Sequence, residues 1–489
     1  MLFNSHIFIL LFLPLLLAGW YFLNWKKKFQ LAQGYLIGMS LWFYAYANLQ
    51  YLWLLLFSCL IGWLLSCVPE KISSEKGKKV LTGVGCVFHL GLLGYFKYSN
   101  FFLENLNTVF HTDFPMLQIL LPVGISFYTF QQLAYLIDRC RGDAPRDSFF
   151  DYLTFMVYFP QLLQGPILLR SEFMGQLKEP ERRRFHAGRF SEGIQFFVFG
   201  LAKKVLLADT LAKAVNYGYS NVSMLDSISA LLLAVGYLTE LYFDFSGYCD
   251  MAVGLGKMIG LEVAENFDAP FHSASVKEFW RRWHMTLGRF FTRYVYIPLG
   301  GNRRGKMGTL CNVMIVMLLS GLWHGAAWTF VLWGFLHGVG MIWDNLEHPH
   351  LPKKWMRQAA TFAYVCMTFV FFRAESIAQG VDVLKSIVSL KWNGFVFQMA
   401  SALDLTEFYM ITKALSMKLP RLLSWFWLGI FVVLIAICFR VLSGEKVSGV
   451  VALQRQKGYG RLYPVLLAVL FTWSMISMTG VSEYLYFSF

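Results

Sequence analysis

Long runs of apolar residues, separated by short polar segments, dominate the chain and predict helices that cross a membrane. The clearest runs extend from Phe8 to Phe22, Tyr51 to Val68, Val80 to Tyr98, Ile228 to Gly260 and Leu422 to Phe439. Because a bilayer-spanning helix needs about 20 mostly apolar residues, these runs and several weaker ones together predict roughly 11 spans. No internal repeat or linker divides residues 1–489, so the sequence predicts one all-α, polytopic integral membrane domain.

The composition also indicates an integral membrane protein, since 57% of the residues are hydrophobic and only 15% are charged. Lys and Arg outnumber Asp and Glu by 43 to 29, a balance that would suggest nucleic acid as the partner of a soluble protein. Here the basic residues lie in short loops between apolar runs, so membrane lipids are the expected partner and nucleic acid is not. The eight Cys never form C-x-x-C and never approach His at zinc spacing, so no metal site is expected.

The basic loops predict the orientation of the chain, because cytosolic loops carry an excess of Lys and Arg. Loops at 26–28, 71–79 and 139–146 are basic, and two predicted spans separate each loop from the next. The N-terminus is therefore predicted to lie outside. By the same rule the basic stretches 281–306, 353–357 and 440–461 are cytosolic, so the final segment, and with it the C-terminus, is also predicted to lie outside. The next basic loop, 178–189, requires an even number of crossings after residue 146, yet only one apolar stretch, Phe149 to Leu169, intervenes.

This stretch contains Pro160, Gly165 and Pro166, which disrupt a regular helix. A broken, re-entrant hairpin buried within protein would satisfy both the crossing count and the backbone hydrogen bonds. The alternative is an ordinary proline-kinked helix.

Ionisable residues inside apolar runs are costly and therefore mark candidate functional sites. Glu240, Asp244 and Tyr248 follow one another at intervals of four, so they share one face of a helix that must look inward. Two interpretations stay open: the face lines a functional passage, or it forms a structural hydrogen-bond network between helices.

A basic segment from Ser275 to Arg304 is the second candidate region. Its opening S-x-x-E predicts a helix start at Ser275 and places Trp280 and His284 one turn apart on that helix. Arginines stay charged and bind phosphate with two parallel hydrogen bonds, so this segment suits a phosphate-bearing ligand. The arginines concerned are Arg281, Arg282, Arg289 and Arg293. The alternative is a basic amphipathic helix lying in the membrane interface.

His324 lies within an apolar stretch, between Gly321 and Gly325. The spacing of the two glycines predicts a tight helix crossing, and burial there favours the neutral imidazole, which accepts a proton. His284 is a second histidine in the same part of the chain, as a base with a polar partner requires. The other two histidines in apolar runs, His337 and His89, fit the interpretation of ordinary core residues.

Several motifs in order resemble the membrane-bound O-acyltransferase family, and within it most closely the alginate O-acetyltransferase group of bacterial polysaccharide O-acetyltransferases. The motifs are LPVGISFYTFQ at 121–131, QGPI at 164–167, LYFDFSGYCDMAVGLG at 241–256, ENF at 265–267, EFWRRWHMTL at 278–287, YIPLGGNR at 296–303 and SGLWHGAAWTFVLWGFLHG at 320–338. The resemblance implies a ring of helices around a central channel, with His324 as the catalytic histidine and His284 as a second conserved polar residue.

The resemblance further implies transfer of an acyl group, expected to be acetyl from cytosolic acetyl-CoA, for O-acetylation of an extracytoplasmic polysaccharide such as alginate. Acetyl-CoA would be a substrate, with no cofactor bound. Trp280, Arg281 and Arg282 would bind the donor, while further channel-lining residues would be Asp244, Tyr248 and Asn266. The expected location is the bacterial inner membrane, with a separate periplasmic or extracellular acetyltransferase as partner.

Two other possibilities remain open at the level of sequence. One is another substrate within the family: D-alanyl transfer, or a lipid or protein hydroxyl as acceptor. The other is a polymer or ion transporter, which intramembrane carboxylates and a broken helix would also suit.

Overall fold

The protein is described here by a computed structural model covering residues 1–346, 352–405, 408–442, 446–457, 460, 462–478 and 484–485. Every regular element within these ranges is helical, which confirms the predicted all-α class. The helices of the N-terminal part are α1 (Leu13–Trp25), α2 (Phe29–Asn48), α3 (Leu52–Ser66), α4 (Glu75–Leu93), α5 (Ser99–Phe110), α6 (Ile125–Arg141), α7 (Phe149–Val157), α8 (Phe159–Leu162) and α9 (Arg170–Lys178).

The central part contains the longest helix of the described chain, α12, with 33 residues. Its helices are α10 (Ala187–Ala202), α11 (Asp209–Ser220), α12 (Ser227–Ile259), α13 (Val276–Arg282), α14 (Met285–Phe291), α15 (Gly305–His324), α16 (Trp328–Asn345) and α17 (Lys354–Arg373). The C-terminal part adds α18 (Ile377–Val388), α19 (Phe395–Ser401), α20 (Tyr409–Lys418), α21 (Pro420–Leu442), α22 (Val447–Lys457) and α23 (Leu462–Ser477).

Short π-helical and 3₁₀ segments join several of these helices into longer rods. The π segments are Phe8–Phe12, Gly94–Tyr98, Lys203–Ala208 and Thr292–Tyr296. The 3₁₀ segments are Leu49–Tyr51, Pro69–Lys71, Pro180–Arg183, Val222–Met224, Pro270–His272 and Gly301–Arg304. Single π turns inside a longer helix are frequent at functional sites, which draws attention to the residues that they carry.

Six helical segments of the described residues are long and apolar enough to cross a bilayer. They are Phe8–Trp25, Leu49–Lys71, Glu75–Phe110, Ser227–Ile259, Gly301–His324 and Pro420–Phe439. All five of the clearest apolar runs lie largely within these segments. The figure of roughly 11 spans and the central channel remain predictions.

Helices α10 and α12 pack closely against each other through pairs of glycine residues. A Cβ atom on Gly193 would lie 2.6 Å from the carbonyl oxygen of Gly254, and one on Gly200 would lie 2.5 Å from that of Gly247. In each pair the glycines let the two backbones touch. Such contacts suit helices in lipid, where van der Waals packing drives association.

The stretch from Phe149 to Leu169 is broken, as its proline and glycine residues predict. Helix α7 ends at Val157, Tyr158 leaves the helical conformation with ψ of 107°, and α8 has only 4 residues. The backbone is irregular from Leu163 to Leu169 and is buried within the protein. A nine-residue α7 is too short to span a bilayer, so the stretch is not one continuous kinked helix, and its path as a re-entrant hairpin remains a prediction.

The basic segment begins as predicted but does not continue as one helix. Ser275 caps α13, its hydroxyl accepting the N–H of Glu278 at 3.1 Å. The prediction that Trp280 and His284 share a helix is wrong, because α13 ends at Arg282 and His284 has a left-handed conformation with φ of 45°. The backbone N–H of Asp268 donates a hydrogen bond to the carbonyl of Arg282 at 2.9 Å, and this tertiary bond helps to end the helix.

Candidate active site

His324 is the last residue of α15, and the helix end itself fixes its position. Gly325 is extended, so the chain turns away directly after the histidine. The exposed carbonyls of the last turn are capped by the π segment Gly94–Tyr98: the Tyr98 hydroxyl donates to the carbonyl of Leu322 at 2.5 Å. The ammonium of Lys97 donates to the carbonyls of Trp323 at 2.7 Å and of His324 at 2.9 Å. These three bonds satisfy groups that every helix end leaves open.

Aromatic rings surround the imidazole of His324, which is only 3% exposed. Its ring centroid lies 4.9 Å from that of Trp323, 5.1 Å from Trp333 and 5.2 Å from Phe372. Such apolar walls exclude water and favour the uncharged ring.

The predicted tight crossing is present, but only one of the two glycines forms it. A Cβ on Gly321 would lie 2.3 Å from the carbonyl oxygen of Phe330 and 3.2 Å from the Cα of Gly334, so α15 and α16 touch through their backbones. Gly325 lies beyond the helix, where the ring of Phe330 occupies the space that a side chain would need. The small-residue pair that forms the crossing is therefore Gly321 with Gly334.

A small cavity of about 50 Å³ touches His324. Its other walls are Lys97, Leu121, Pro122, Val123, Gly124, Ile125, Ser126, Phe127, Leu163 and Trp323. The segment 121–127 leads into α6 on the side that the basic loops predict to be the outer face. The imidazole therefore lies next to space that can hold a water molecule or a hydroxyl group.

His284 is fully buried, and Asn266 holds its ring. The side-chain oxygen of Asn266 accepts two hydrogen bonds from Thr286, one from the backbone N–H at 3.1 Å and one from the hydroxyl at 2.9 Å. The same oxygen lies 3.2 Å from His284 Nδ1. Because an amide oxygen only accepts, the proton of the neutral ring belongs on Nδ1, and Nε2 keeps its lone pair. His284 lies outside the six candidate spans, and burial lowers the pKa of His284 to about 3.

The two histidines are neighbours in the fold. Their ring centroids lie 6.5 Å apart, and the ring of Phe245 on α12 packs 4.8 Å from that of His284. The amide nitrogen of Asn266 donates to the sulfur of Cys249, one turn further along α12, at 3.4 Å. Asn266 also lines a larger cavity of about 1000 Å³ between α10, α12 and α21 to α23. The structure thus brings together three residues proposed from sequence: His324, His284 and Asn266.

Trp280 is linked to His324 through Trp333, which contacts both side chains. Its indole N–H donates to His337 Nδ1 at 3.2 Å, and His337 Nε2 lies 3.0 Å from the hydroxyl of Thr368. Both ring nitrogens of His337 therefore have partners, as expected of a core residue. Trp280 also packs 5.7 Å from Trp333, which in turn contacts His324. Its contacts support the wall around the imidazole.

Most arginines of the basic segment form ion pairs within the protein. Arg282 pairs with Glu278 at 2.9 Å, and Arg293 pairs with Asp138 at 2.9 Å and with Asp143 at 3.1 Å. Arg289 pairs with Glu172. Arg281 is exposed and forms no ion pair with the described residues. Of these four, Arg281 is therefore the most available to an external anion.

Asp244 and Tyr248 make contacts typical of a structural network. Asp244 pairs with Lys204 at 2.6 Å and accepts the N–H of Leu485 at 3.0 Å. Tyr248 stacks on Phe3 at 4.7 Å and packs 5.0 Å from Tyr484. The residues of α12 that face His284 and Asn266 are instead Phe245 and Cys249. Each directly follows Asp244 or Tyr248 in the sequence and so lies about 100° further round the helix. That Asp244 and Tyr248 line a passage remains a prediction.

Lys97 is a site residue that the sequence reasoning missed. It lies in the apolar run from Val80 to Tyr98, so the search for ionisable residues within spans would have found it. The aromatic residues Trp333 and Phe372 gave no such signal, because aromatic residues are common throughout this chain.

Comparison with known proteins identifies the family of this chain. Residues 142–379, which include both His284 and His324, match the membrane-bound O-acyltransferase family. A peptidoglycan O-acetyltransferase of Helicobacter pylori is 36% identical over 423 residues, covering 80% of each chain. A probable alginate O-acetylase of Pseudomonas aeruginosa is 38% identical, covering 77% of this chain and 73% of its own.

A more distant relative, the teichoic acid D-alanyltransferase of Bacillus subtilis, is 28% identical over 271 residues, which cover 52% of this chain and 69% of its own. The three relatives are named as an O-acetyltransferase, a probable O-acetylase and a D-alanyltransferase, which favours the enzyme over the transporter interpretation. The chain therefore belongs to the membrane-bound O-acyltransferase family and is a membrane-embedded O-acyltransferase.

Proposed function

We propose that this enzyme transfers an acetyl group from acetyl-CoA for O-acetylation of an extracytoplasmic polysaccharide, with His324 as the general base. The observation that carries the proposal is the position of His324: a buried imidazole at a fixed helix end, walled by aromatic rings and touching a cavity. Relatives named for acetylation of peptidoglycan and of alginate support both the acyl group and the class of acceptor.

In the proposed reaction, neutral His324 takes the proton of the attacking hydroxyl, and the protonated ring later returns it to the leaving thiolate. General-base assistance of this kind contributes roughly 10² to 10⁴ in rate. His284, oriented by Asn266, provides a second neutral imidazole beside the reacting groups. A transient acyl-imidazole on His324 is the alternative within the same proposal.

The remaining parts of the proposal concern substrates and surroundings. Acetyl-CoA enters from the cytosol as a substrate, with Arg281 near its phosphates and Arg282 and Trp280 shaping the entrance. The enzyme lies in the bacterial inner membrane with both termini outside. A separate periplasmic or extracellular acetyltransferase completes the transfer to the polymer, which is alginate or another exopolymer.

The test is replacement of His324 by Gln in the full-length protein, with His337→Gln as the matched control. Both histidines are buried and neighbour Trp333, but His337 does not line the small cavity. We expect His324→Gln to lose at least 100-fold of acetyl transfer per folded protein, while His337→Gln keeps most of it. Size-exclusion profiles in detergent check folding. Full polysaccharide acetylation by His324→Gln would refute the role of the histidine.

D-alanyl transfer is the second candidate, favoured by the likeness to the teichoic acid enzyme. Mass spectrometry of envelope polymers, from cells with and without this gene, distinguishes the two groups. Loss of acetyl esters supports the proposal, whereas loss of D-alanyl esters supports the alternative.

A further inference from the structure

We propose that Lys97 is a further catalytic residue, whose ammonium group stabilises the oxyanion formed beside His324 during acyl transfer. This inference rests on the proposed function and names the residue of the same site that stabilises the developing negative charge. It concerns a residue on a different helix from either histidine, far from both in sequence.

Lys97 lies in the π segment Gly94–Tyr98, between α4 and α5, inside the candidate span Glu75–Phe110. A lysine at membrane depth is costly, so such residues usually have a function. Within the described part of the chain, its two hydrogen bonds go to the carbonyls of Trp323 and His324, and neither goes to a carboxylate. The negative end of the helix dipole of α15 favours the charged ammonium without neutralising it.

Capping alone does not require a charge at this position. The neighbouring Tyr98 caps the carbonyl of Leu322 with a neutral hydroxyl at 2.5 Å. The two residues differ in what else they contact, because Lys97 lines the small cavity with His324 and Tyr98 does not. The charged member of the pair is therefore the one that lies next to the space where substrate would react.

An ammonium group has three N–H donors, and the two carbonyl bonds use two of them. The third has no acceptor among the residues that the structure describes and is available to a group in the cavity. Since the other two bonds tie Lys97 to the end of α15, the donor is held in a fixed position relative to the imidazole. A fixed donor in a dry site stabilises developing negative charge without reorganisation of solvent.

The chemical step can be written with all atoms accounted for. The acceptor hydroxyl oxygen attacks the thioester carbonyl carbon and forms the new C–O bond, while the hydroxyl proton passes to the imidazole of His324. The carbonyl π electrons move onto oxygen, and Lys97 donates its third N–H to that oxyanion. As the carbonyl re-forms, the C–S bond breaks, and the thiolate takes the proton from the imidazolium. The products are an ester and a thiol.

The experiment compares Lys97→Gln, Lys97→Met and Lys97→Arg with the matched control Tyr98→Phe, all in the full-length protein in lipid nanodiscs. Glutamine keeps neutral N–H donors for capping but removes the charge, arginine keeps the charge, and Tyr98→Phe removes a cap only. The donor is acetyl-CoA, and the acceptor is envelope polysaccharide of the host after alkaline deacetylation, supplied with an envelope extract from cells without this gene as the source of the proposed partner acetyltransferase. Thiol release and ester formation give kcat and KM.

Loss of one oxyanion donor typically costs 10² to 10³ in kcat. We expect a loss of about that size for Lys97→Gln and Lys97→Met, with KM for the acceptor within a few-fold, since the interaction forms only in the transition state. Arginine should restore about a tenth or more of kcat, and Tyr98→Phe should lose less than about five-fold.

The outcomes separate the two proposals. If Lys97→Gln keeps kcat within five-fold of the unmodified protein, or if Tyr98→Phe loses as much as Lys97→Gln, Lys97 only caps the helix and the inference fails. In both cases the acetyltransferase proposal stands. If the unmodified protein transfers no acetyl group, the proposed function itself fails. Should Lys97→Met not fold, Lys97→Gln decides, because it retains the capping donors.

Discussion

At the scale of single residues, the two histidines owe their properties to different neighbours. His284 is oriented by one amide oxygen, that of Asn266, which assigns the proton to Nδ1. His324 is positioned through its backbone, because Lys97 caps the helix that ends with it. The same residue type thus acquires two separate constraints, one through a side-chain hydrogen bond and one through a capped helix end.

The buried state of His284 predicts how stability depends on pH. Burial lowers the pKa of His284 to about 3 from 6.5, so the unfolded chain binds a proton below pH 6.5 that the folded protein does not accept until near pH 3. Stability should therefore fall as the pH drops through this range, by up to about 1.4 kcal/mol per pH unit. In His284→Asn this contribution disappears.

Thermal unfolding in detergent, followed by tryptophan fluorescence at pH 7.5 and 5.0, measures the effect. The drop in Tm on acidification should be smaller in His284→Asn than in the unmodified protein. His186→Asn, at an exposed position, is the control and should leave the drop unchanged. Equal drops in all three proteins would contradict the assignment of His284 as a buried neutral residue.

At the scale of elements, close crossings without side chains position the site. The pair Gly321 and Gly334 joins α15 to α16, and so sets the distance between His324 and the wall formed by Trp333. The glycine pairs between α10 and α12 do the same for the helix that carries Phe245 and Cys249. The site is thus held by contacts between backbones, which a single methyl group would disturb.

Gly321→Ala should damage both stability and catalysis. The new methyl carbon would lie 2.3 Å from the carbonyl oxygen of Phe330, so the helices must separate, at a cost of about 1 to 3 kcal/mol. We expect a lower Tm and a loss of acetyl transfer of at least ten-fold. Gly338→Ala on α16 is the matched control, because its methyl meets the flexible side chain of Met314 at 2.7 Å. Similar losses in both variants would argue against the crossing as the cause.

At the scale of the whole molecule, orientation decides which substrate meets which side of the site. The basic loops predict that residues 71–79 face the cytosol and that the segment before α6 faces outward. The small cavity at His324 is bounded by residues 121–127 of that outward side. An acceptor arriving from outside would therefore reach the imidazole first, and the donor would approach from the opposite side.

Cysteine labelling tests this orientation. In a Cys311→Ser background, chosen because Cys311 is exposed, Asp113→Cys and Ser73→Cys place single probes at two exposed loop positions. A membrane-impermeant maleimide should label Asp113→Cys in intact spheroplasts and Ser73→Cys only after lysis. The reverse pattern would invert the topology, and with it the proposed sides of donor and acceptor.

The features that solvent imposes on a chain could be predicted from the order of residues. Lipid requires long apolar helices, and the apolar runs show where several of them lie. Proline and glycine identified the break after α7, since proline has no backbone N–H to donate and glycine has no side chain to restrict its backbone. The cost of polar groups in lipid, together with the family motifs, identified His324, His284 and Asn266 as candidates.

Which of these groups meet depends on how the helices pack in the folded protein. The bond between Lys97 and the His324 carbonyl joins residues 227 positions apart, and that between Asn266 and His284 joins residues 18 apart. The end of α13 and the ion pairs of Arg289 and Arg293 depend on partners that lie far away in the sequence, whereas the partner of Arg282 is Glu278, one helical turn earlier. Periodicity predicts which face of each helix meets lipid. The end of α13, the tautomer of His284 and the capping of α15 by Lys97 arise instead from contacts between elements that only folding brings together.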